Sequence, residues 1–241
     1  MLSIQQLSKQ YGTINHEINV LEDVTTSISA GEFVMIMGES GSGKSTFLNC
    51  ISTLDKPTSG KVFYQEKNIL VANMEQVQQY RLYDFGFIFQ ENHMIDTLTM
   101  IENIMIAHVQ LNKKAKDSAF ELMNQLGISH IANKYPHQIS GGERQRCAIA
   151  RALINKPGIL FADEPTASLN PQVASEIMEI LKDLNQKGQT IIMVTHSVKM
   201  AAYGKRLLLL SGGNFSVDAD LSKVDEQQKQ ETIVSLAMDI L

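Results

Sequence analysis

Residues 33–50, FVMIMGESGSGKSTFLNC, constrain this chain more than any other stretch. The apolar run FVMIMG (33–38) ends in glycine and suits a strand buried on both faces. In the following KSTFLNCISTL, residues Phe47, Leu48, Ile51 and Leu54 recur at helical spacing. Between them lie Gly38, Glu39, Ser40, Gly41, Ser42, Gly43, Lys44, Ser45 and Thr46, with Gly38, Gly43, Lys44 and Ser45 at the spacing of a phosphate-binding loop. Glycines let successive backbone N–H groups turn inward toward anionic oxygens, and the helix aims its positive end at the same place. Lys44 adds a point charge for β- and γ-phosphates, and the Ser45 hydroxyl can ligate Mg²⁺.

A second strand carries the acids that such a loop requires. GILFADE (158–164) ends in Asp163 and Glu164. Asp163 is the metal-side carboxylate, while Glu164, one residue on, points elsewhere and can align the attacking water or take its proton. The plainer reading is a polar strand end with two solvated acids. A third stretch, ISGGERQRCAIARAL (139–153), opens an amphipathic helix with Ser140, Gly141 and Gly142, whose N–H groups and hydroxyl form a second anion site. Ser140 and Glu143 also have the spacing of a capping box, and both readings can hold together.

The chain has 241 residues, enough for one large domain or a core with a smaller lobe. Its 44% hydrophobic and 20% charged content is that of a globular protein, and a net charge of −5 gives no basic face for nucleic acid. Cys50 and Cys147 stand far apart and read as small apolar residues in a reducing compartment. The start, MLSIQQLSKQYG, lacks the form of a signal peptide. Apolar runs such as RLLLL (206–210) fall far below the roughly 20 residues that span a bilayer, so no direct membrane insertion is expected.

Short strand-like pieces open the chain, and residues 91–157 are rich in helix: TMIENIMIAHVQL, DSAFELMNQLG and GERQRCAIARALINK, with LNKKAKD (111–117) as a charged connector. Buried strands return in GILFADE and QTIIMVTH (189–196), separated by a helix that ends at Gly188. In the last helix Ile233, Leu236, Ala237, Ile240 and Leu241 share a face that packs on the core or contacts a second subunit. His16, His93, His108, His130 and His137 show no metal-binding spacing.

Taken in order, these motifs resemble the nucleotide-binding subunit of ATP-binding-cassette (ABC) transporters over about residues 2–217. Tyr11 matches the aromatic that stacks on adenine, GESGSGKST the Walker A loop, and Gln90 the Q-loop glutamine that senses Mg²⁺ and water. ISGGE matches the signature motif, with Glu143 where many members have Gln; GILFADE matches Walker B, and His196 the switch histidine. The resemblance implies a P-loop NTPase of the ABC-ATPase fold. Its parts are a RecA-like α/β core, an N-terminal antiparallel β subdomain and an α-helical subdomain inserted at about 91–157. Residues 2–217 would form the ATPase domain and 218–241 a C-terminal helical tail. ATP and Mg²⁺ are the implied ligands, with Ser45, Gln90 and Asp163 on the metal and Glu164, His196, Gln90 and Lys44 serving hydrolysis.

The implied partners are a second copy, whose signature motif closes over ATP, and a separate membrane permease. CISTLDKPTSGKV and FGFIFQENHMIDTLTMIENI look most like the ATPases of macrolide-export and lipoprotein-release transporters, and within these like the bacitracin and lantibiotic resistance group. A lipoprotein-sorting or cell-division ATPase is the alternative; a soluble ABC protein would carry tandem cassettes. ASLN aligns with the D-loop, where Asn170 replaces the usual Asp and precedes Pro171 as a good helix N-cap.

Overall fold

The computed structural model describes residues 1–13, 16–110 and 112–238. Strand β1 (Leu2–Thr13) pairs antiparallel with β2 (His16–Ile28). Leu2 and Ile4 point inward from β1, but so do Leu7 and Lys9. A register shift between Ile4 and Leu7, with Gln6 at φ 48°, resets the two-residue alternation. Without that bulge the odd positions would face solvent.

Strand β3 (Phe33–Met37) is buried at every position and leads into α1 (Lys44–Ile51). β4 (Ser59–Tyr64) and β5 (Lys67–Asn68) complete an antiparallel sheet of order β2-β1-β4-β5. Then come α2 (Met74–Gln79), β6 (Phe85–Ile88), α3 (Met100–Met105), α4 (Lys113–Gln125) and α5 (Gly141–Leu153). β7 (Ile159–Asp163), α6 (Pro171–Gln186), β8 (Thr190–Val194), α7 (Val198–Ala201), β9 (Arg206–Ser211), β10 (Asn214–Asp220) and α8 (Lys229–Met238) follow.

The second sheet has the order β10-β9-β3-β8-β7-β6. Its strands from β9 to β6 are parallel, and β10 is an antiparallel edge. This is the α/β class that the strand–helix–strand pattern predicts. Helix α1 fills the space between the two sheets: Phe47, Cys50 and Ile51 pack with Leu2 and Leu7 below and Val34, Ile36 and Phe161 above. Fully burying a side chain such as Phe47 contributes about 1.5–3 kcal/mol. On the other face of the parallel sheet, helices α3 to α6 and α8 share one apolar cluster.

Several expectations are corrected. α1 ends at Ile51, and Leu54 lies past it, 38% exposed, because Thr53 takes φ 67° and breaks the helix. The charged connector is mostly helix: Asn112 caps α4 by accepting from Ala115 N, and Ala115, Ala119 and Met123 make a buried stripe behind the lysines. Helix α3 spans only Met100–Met105, and the Asn155 side chain takes over beyond it, accepting from Val109 N and donating to Ala107 O. β10 runs to Asp220, so a division at 217 falls inside a strand. In α8, Ile233 and Ala237 are buried in the chain's own core and Leu236 packs against it, whereas Ile240 and Leu241 lie outside the described residues.

Candidate nucleotide site

Strand register alone assembles most of the site. In the parallel sheet Ile36 of β3 pairs with Val194 of β8, and Val194 pairs with Asp163 of β7. The strands therefore end side by side, and whatever follows them stands in a row along their carboxyl edge, where open α/β sheets bind ligands. The phosphate-type loop follows β3, His196 follows β8, Asp163 ends β7 with Glu164 just past it, and Gln90 lies two residues past β6.

The loop from Gly38 to Gly43 wraps ahead of α1. Gly43 sits at the helix N-cap with φ 99°, and a Cβ there would stand 2.8 Å from Val20 O, so a larger residue is excluded by both conformation and space. Lys44 is buried and its Nζ donates to Gly38 O at 2.9 Å and to Glu39 O at 2.6 Å, pinning the loop's own carbonyls. Burial pushes the Lys44 ammonium below its ordinary pKa, against the opposing charges of Glu164 and Asp163. Ser42 Oγ is buried in the loop with no partner among the described residues, a polar atom that a bound anion can satisfy. Gly38, Glu39 and Ser40 share a cleft of about 610 Å³ with His196, Leu209 and Ala237 of α8.

Ser45 Oγ donates to Asp163 Oδ1 at 2.9 Å. Burial raises the Asp163 pKa, while the Ser45 hydrogen bond and the Lys44 charge act in the opposite direction. One hydroxyl and one half-buried carboxylate fit Mg²⁺, which takes few protein oxygens and leaves the rest of its shell to water and phosphate. Among the described residues no group of three His, Cys, Asp or Glu side chains is arranged to hold a metal by itself; the His16 side chain lies outside them.

Glu164 bends away from β7 with φ 47°, held by Glu164 N donating to Val194 O at 3.1 Å. This turns its carboxylate away from Asp163 and toward His196, whose Nδ1 is 2.9 Å from Glu164 Oε1. Gln90 is exposed in a groove of about 760 Å³ with His137, Arg144 and Ser168. Among the described residues no hydrogen bond joins it to Ser45 or Asp163.

Helix α5 begins with a closed capping box. Ser140 Oγ accepts from Glu143 N at 3.3 Å and donates to Glu143 Oε2 at 2.7 Å, and Ser140 N donates to the same oxygen at 2.8 Å. His130 Nε2 stands 2.9 Å from Glu143 Oε1. The side-chain and backbone hydrogen bonds from Ser140 lead in holding the Glu143 carboxyl down at about 2, helped by His130. The Ser140 hydroxyl, expected as an anion donor, is thus turned to Glu143, and the leading amides left without a partner among the described residues are those of Gly141 and Gly142. Gly142 is also a contact point: a Cβ there would stand 2.6 Å from Val173 Cγ1 on α6. No hydrogen bond or ion pair brings residues 140–143 to residues 38–46 among the described residues.

Tyr11, on β1, is 44% exposed, and its hydroxyl donates to Asp55 Oδ2 at 2.6 Å. The sequence reading missed Asp55, Lys9 and His130. Lys9 had a signal, because residues i and i+2 of a strand share a face with Tyr11. The other two are visible only once the chain is folded.

The family model described as "ABC transporter" matches residues 21–167. The bacitracin export ATP-binding protein BceA of Halalkalibacterium halodurans is 39% identical over 233 residues, covering 95% of this chain and 91% of that one. The lipoprotein-releasing system ATP-binding protein LolD of Idiomarina loihiensis is 37% identical over 217 residues, covering 88% and 95%. A dimeric ATP-binding cassette solved in a post-hydrolysis state with ADP and Pi superposes with a TM-score of 0.84 at 36% identity, over 92% of this chain and 99% of that one. With the loop, the paired carboxylates and the histidine ranged along one sheet edge, the chain belongs to the ABC transporter family as one of its ATP-hydrolysing ATP-binding cassettes.

Proposed function

We propose that this cassette drives a separate membrane permease by closing on ATP as a homodimer and opening after hydrolysis, and that the transporter serves antimicrobial peptide resistance. The observation that carries the ATPase reading is the Ser45–Asp163 and Glu164–His196 pairing at adjacent strand ends. No helix among the described residues is long and apolar enough to cross a membrane.

The geometry supports the following roles. Lys44 and the backbone amides of the loop within residues 38–46 would bind and orient the phosphates. Ser45 and Asp163 would hold Mg²⁺, with Gln90, two residues past β6, as the further ligand that the family resemblance implies. When bound, that ion neutralises charge on the β- and γ-phosphate oxygens. Glu164 aligns the attacking water and takes its proton; His196, oriented by Glu164, offers its second ring nitrogen as an acceptor to that water. Catalysis on this plan is positioning and electrostatics.

The α5 terminus supports the dimer. Its Gly141 and Gly142 amides are donors that residues 38–46 of the same chain do not meet, and the dimeric relative is a cassette of the same fold. In the proposed dimer, residues 140–143 of one copy close on the nucleotide held by the other. Removing the γ-phosphate contact then lets the dimer open.

The peptide-resistance branch is supported by the bacitracin relative, which is similar through 95% of this chain. The test is co-purification with the permease encoded beside it, followed by ATPase assays with added antimicrobial peptides. Stimulation by bacitracin-class or lantibiotic peptides supports the branch. Stimulation by lipoprotein instead assigns the chain to the lipoprotein-release type.

A further inference from the structure

A lysine that is only 8% exposed needs a reason. Lys9 Nζ donates to Asp55 Oδ1 at 2.8 Å and to Lys56 O at 2.7 Å, so its charge is paired. Pairs of this kind add little stability over an apolar replacement, because desolvation offsets the attraction. What this one does is fix a third residue. Lys9 Nζ lies 4.6 Å from the centroid of the Tyr11 ring, within cation–π range. Asp55 accepts from the Tyr11 hydroxyl through its other oxygen, Oδ2, at 2.6 Å. One carboxylate thus holds both the cation and the ring that the cation covers.

The same three residues tie the ring to the phosphate loop. Asp55 follows the end of α1, and the other end of that helix carries the phosphate loop. The bulge at Gln6 turns odd-numbered β1 residues toward α1. With one face under Lys9 and the hydroxyl tethered, the ring has a fixed orientation and one remaining face.

We propose that Lys9 and Asp55 are positioning residues that preorganise Tyr11 as a one-faced platform for the nucleotide base, set rigidly against the phosphate loop. This rests on reading Tyr11 as the base-contacting aromatic. The Lys9 charge draws electron density from the ring and the Asp55 tether removes its freedom, so the ring loses less entropy when a base stacks on it. The pair acts on the nucleoside half of the ligand and leaves the phosphate half alone.

The test uses the full chain and calorimetric titration with ADP and, separately, with inorganic pyrophosphate. Tyr11→Ala should weaken ADP roughly 5- to 150-fold, the range for one base–aromatic stack. Lys9→Met and Asp55→Asn should each weaken ADP roughly 3- to 30-fold, the range for a cation–π contact. Pyrophosphate affinity should not move in any of them. Adding Lys9→Met to Tyr11→Ala should cost no further ADP affinity, and Lys9→Arg with Tyr11 intact should keep most of the ADP affinity that Lys9→Met loses. The double variant Lys9→Met/Asp55→Asn leaves neither charge buried alone, so it keeps the test open should a single variant fold poorly. If Tyr11→Ala leaves ADP binding unchanged, the base-stacking reading fails and takes this inference with it. If Tyr11→Ala weakens ADP while Lys9→Met and Asp55→Asn do not, the positioning inference alone is overturned. Equal losses for ADP and pyrophosphate also overturn it, since the pair would then act through the fold or the field.

Discussion

His196 Nδ1 stands 2.9 Å from Glu164 Oε1, joining the first residue past β7 to the second residue past β8. The two side chains differ in setting: Glu164 is 14% exposed and His196 is 70% exposed. A carboxylate can only accept, so Nδ1 carries the proton in this pair and Nε2 of a neutral ring is left as an acceptor. The half-buried acid therefore orients the exposed ring, as a carboxylate orients the imidazole in many hydrolytic sites.

Glu164→Gln tests that relationship. The amide keeps the shape and can still accept from His196, and it preserves a side chain at a φ of 47°, where Gly would relax the backbone. ATP affinity should stay within about twofold, while hydrolysis falls roughly 10²- to 10⁴-fold, the range for a lost general base. Equilibrium ATP titration and single-turnover phosphate release read the two separately. Normal turnover would sink the role given to Glu164.

Lys44→Ala removes both tethers to Gly38 O and Glu39 O as well as the charge. Hydrogen bonds to charged groups contribute about 1.5–3 kcal/mol, so ATP binding should weaken roughly 10- to 150-fold. An unchanged ATP dissociation constant would show that the loop cradles nothing through this lysine.

Much of this site was legible because its signals are local. The glycine spacing at 38–43, the buried runs before it and before Asp163, and the order of the strands fix the carboxyl edge where Lys44, Asp163, Glu164 and His196 gather. Hidden were pairings between distant residues. Lys9 meets Asp55 across 46 positions and His130 meets Glu143 across 13, and no periodicity reports such contacts. The bulge at Gln6 was equally invisible, since it shows itself only when Leu7 and Lys9 turn inward. LNKKAKD read as a connector because its charges masked the Ala115 and Ala119 stripe that tertiary packing rewards.

Gly142 and Ser140 separate packing from anion binding at the start of α5. Ser140→Ala removes a cap and should cost about 1 kcal/mol in denaturant unfolding. Gly142→Ala presses a methyl onto Val173 Cγ1 and should cost about 1–3 kcal/mol by overpacking. Adding Val173→Ala should recover much of that loss. Both single variants should bind ATP as monomers yet lose turnover, and full-rate hydrolysis by a monomeric preparation would contradict the head-to-tail dimer.

The Glu143 carboxyl predicts an acid-side loss of stability. Its pKa is held at about 2 in the fold, below the ordinary 4.5. A depressed carboxyl stabilises the fold above its unfolded value, and that contribution disappears as pH falls from about 4.5 toward about 2. Carbon-detected NMR titration of the labelled side chain should place its midpoint near the lower limit. A midpoint at the ordinary value would break the Ser140–Glu143–His130 arrangement. Glu143→Gln should remove this part of the acid sensitivity while keeping the helix capped.

Asn170 accepts from Val173 N at 3.0 Å and caps α6 ahead of Pro171. Asn and Asp are nearly equal as N-caps, so Asn170→Asp should shift unfolding stability by only a few tenths of a kcal/mol, whereas Asn170→Ala should cost about 0.5–2 kcal/mol. Any larger functional effect of the Asp variant must then come from its charge. Read as a residue of the dimer seam, Asn170 lacks the negative charge that the family's loop carries at this place, and restoring it should change the ATP dependence of turnover. The measurement is the Hill coefficient and maximal rate of the Asp variant beside its denaturant midpoint. A changed coefficient at an unchanged midpoint assigns coupling between the two sites to that charge. An identical coefficient and rate would show that the cap is the whole contribution of this position.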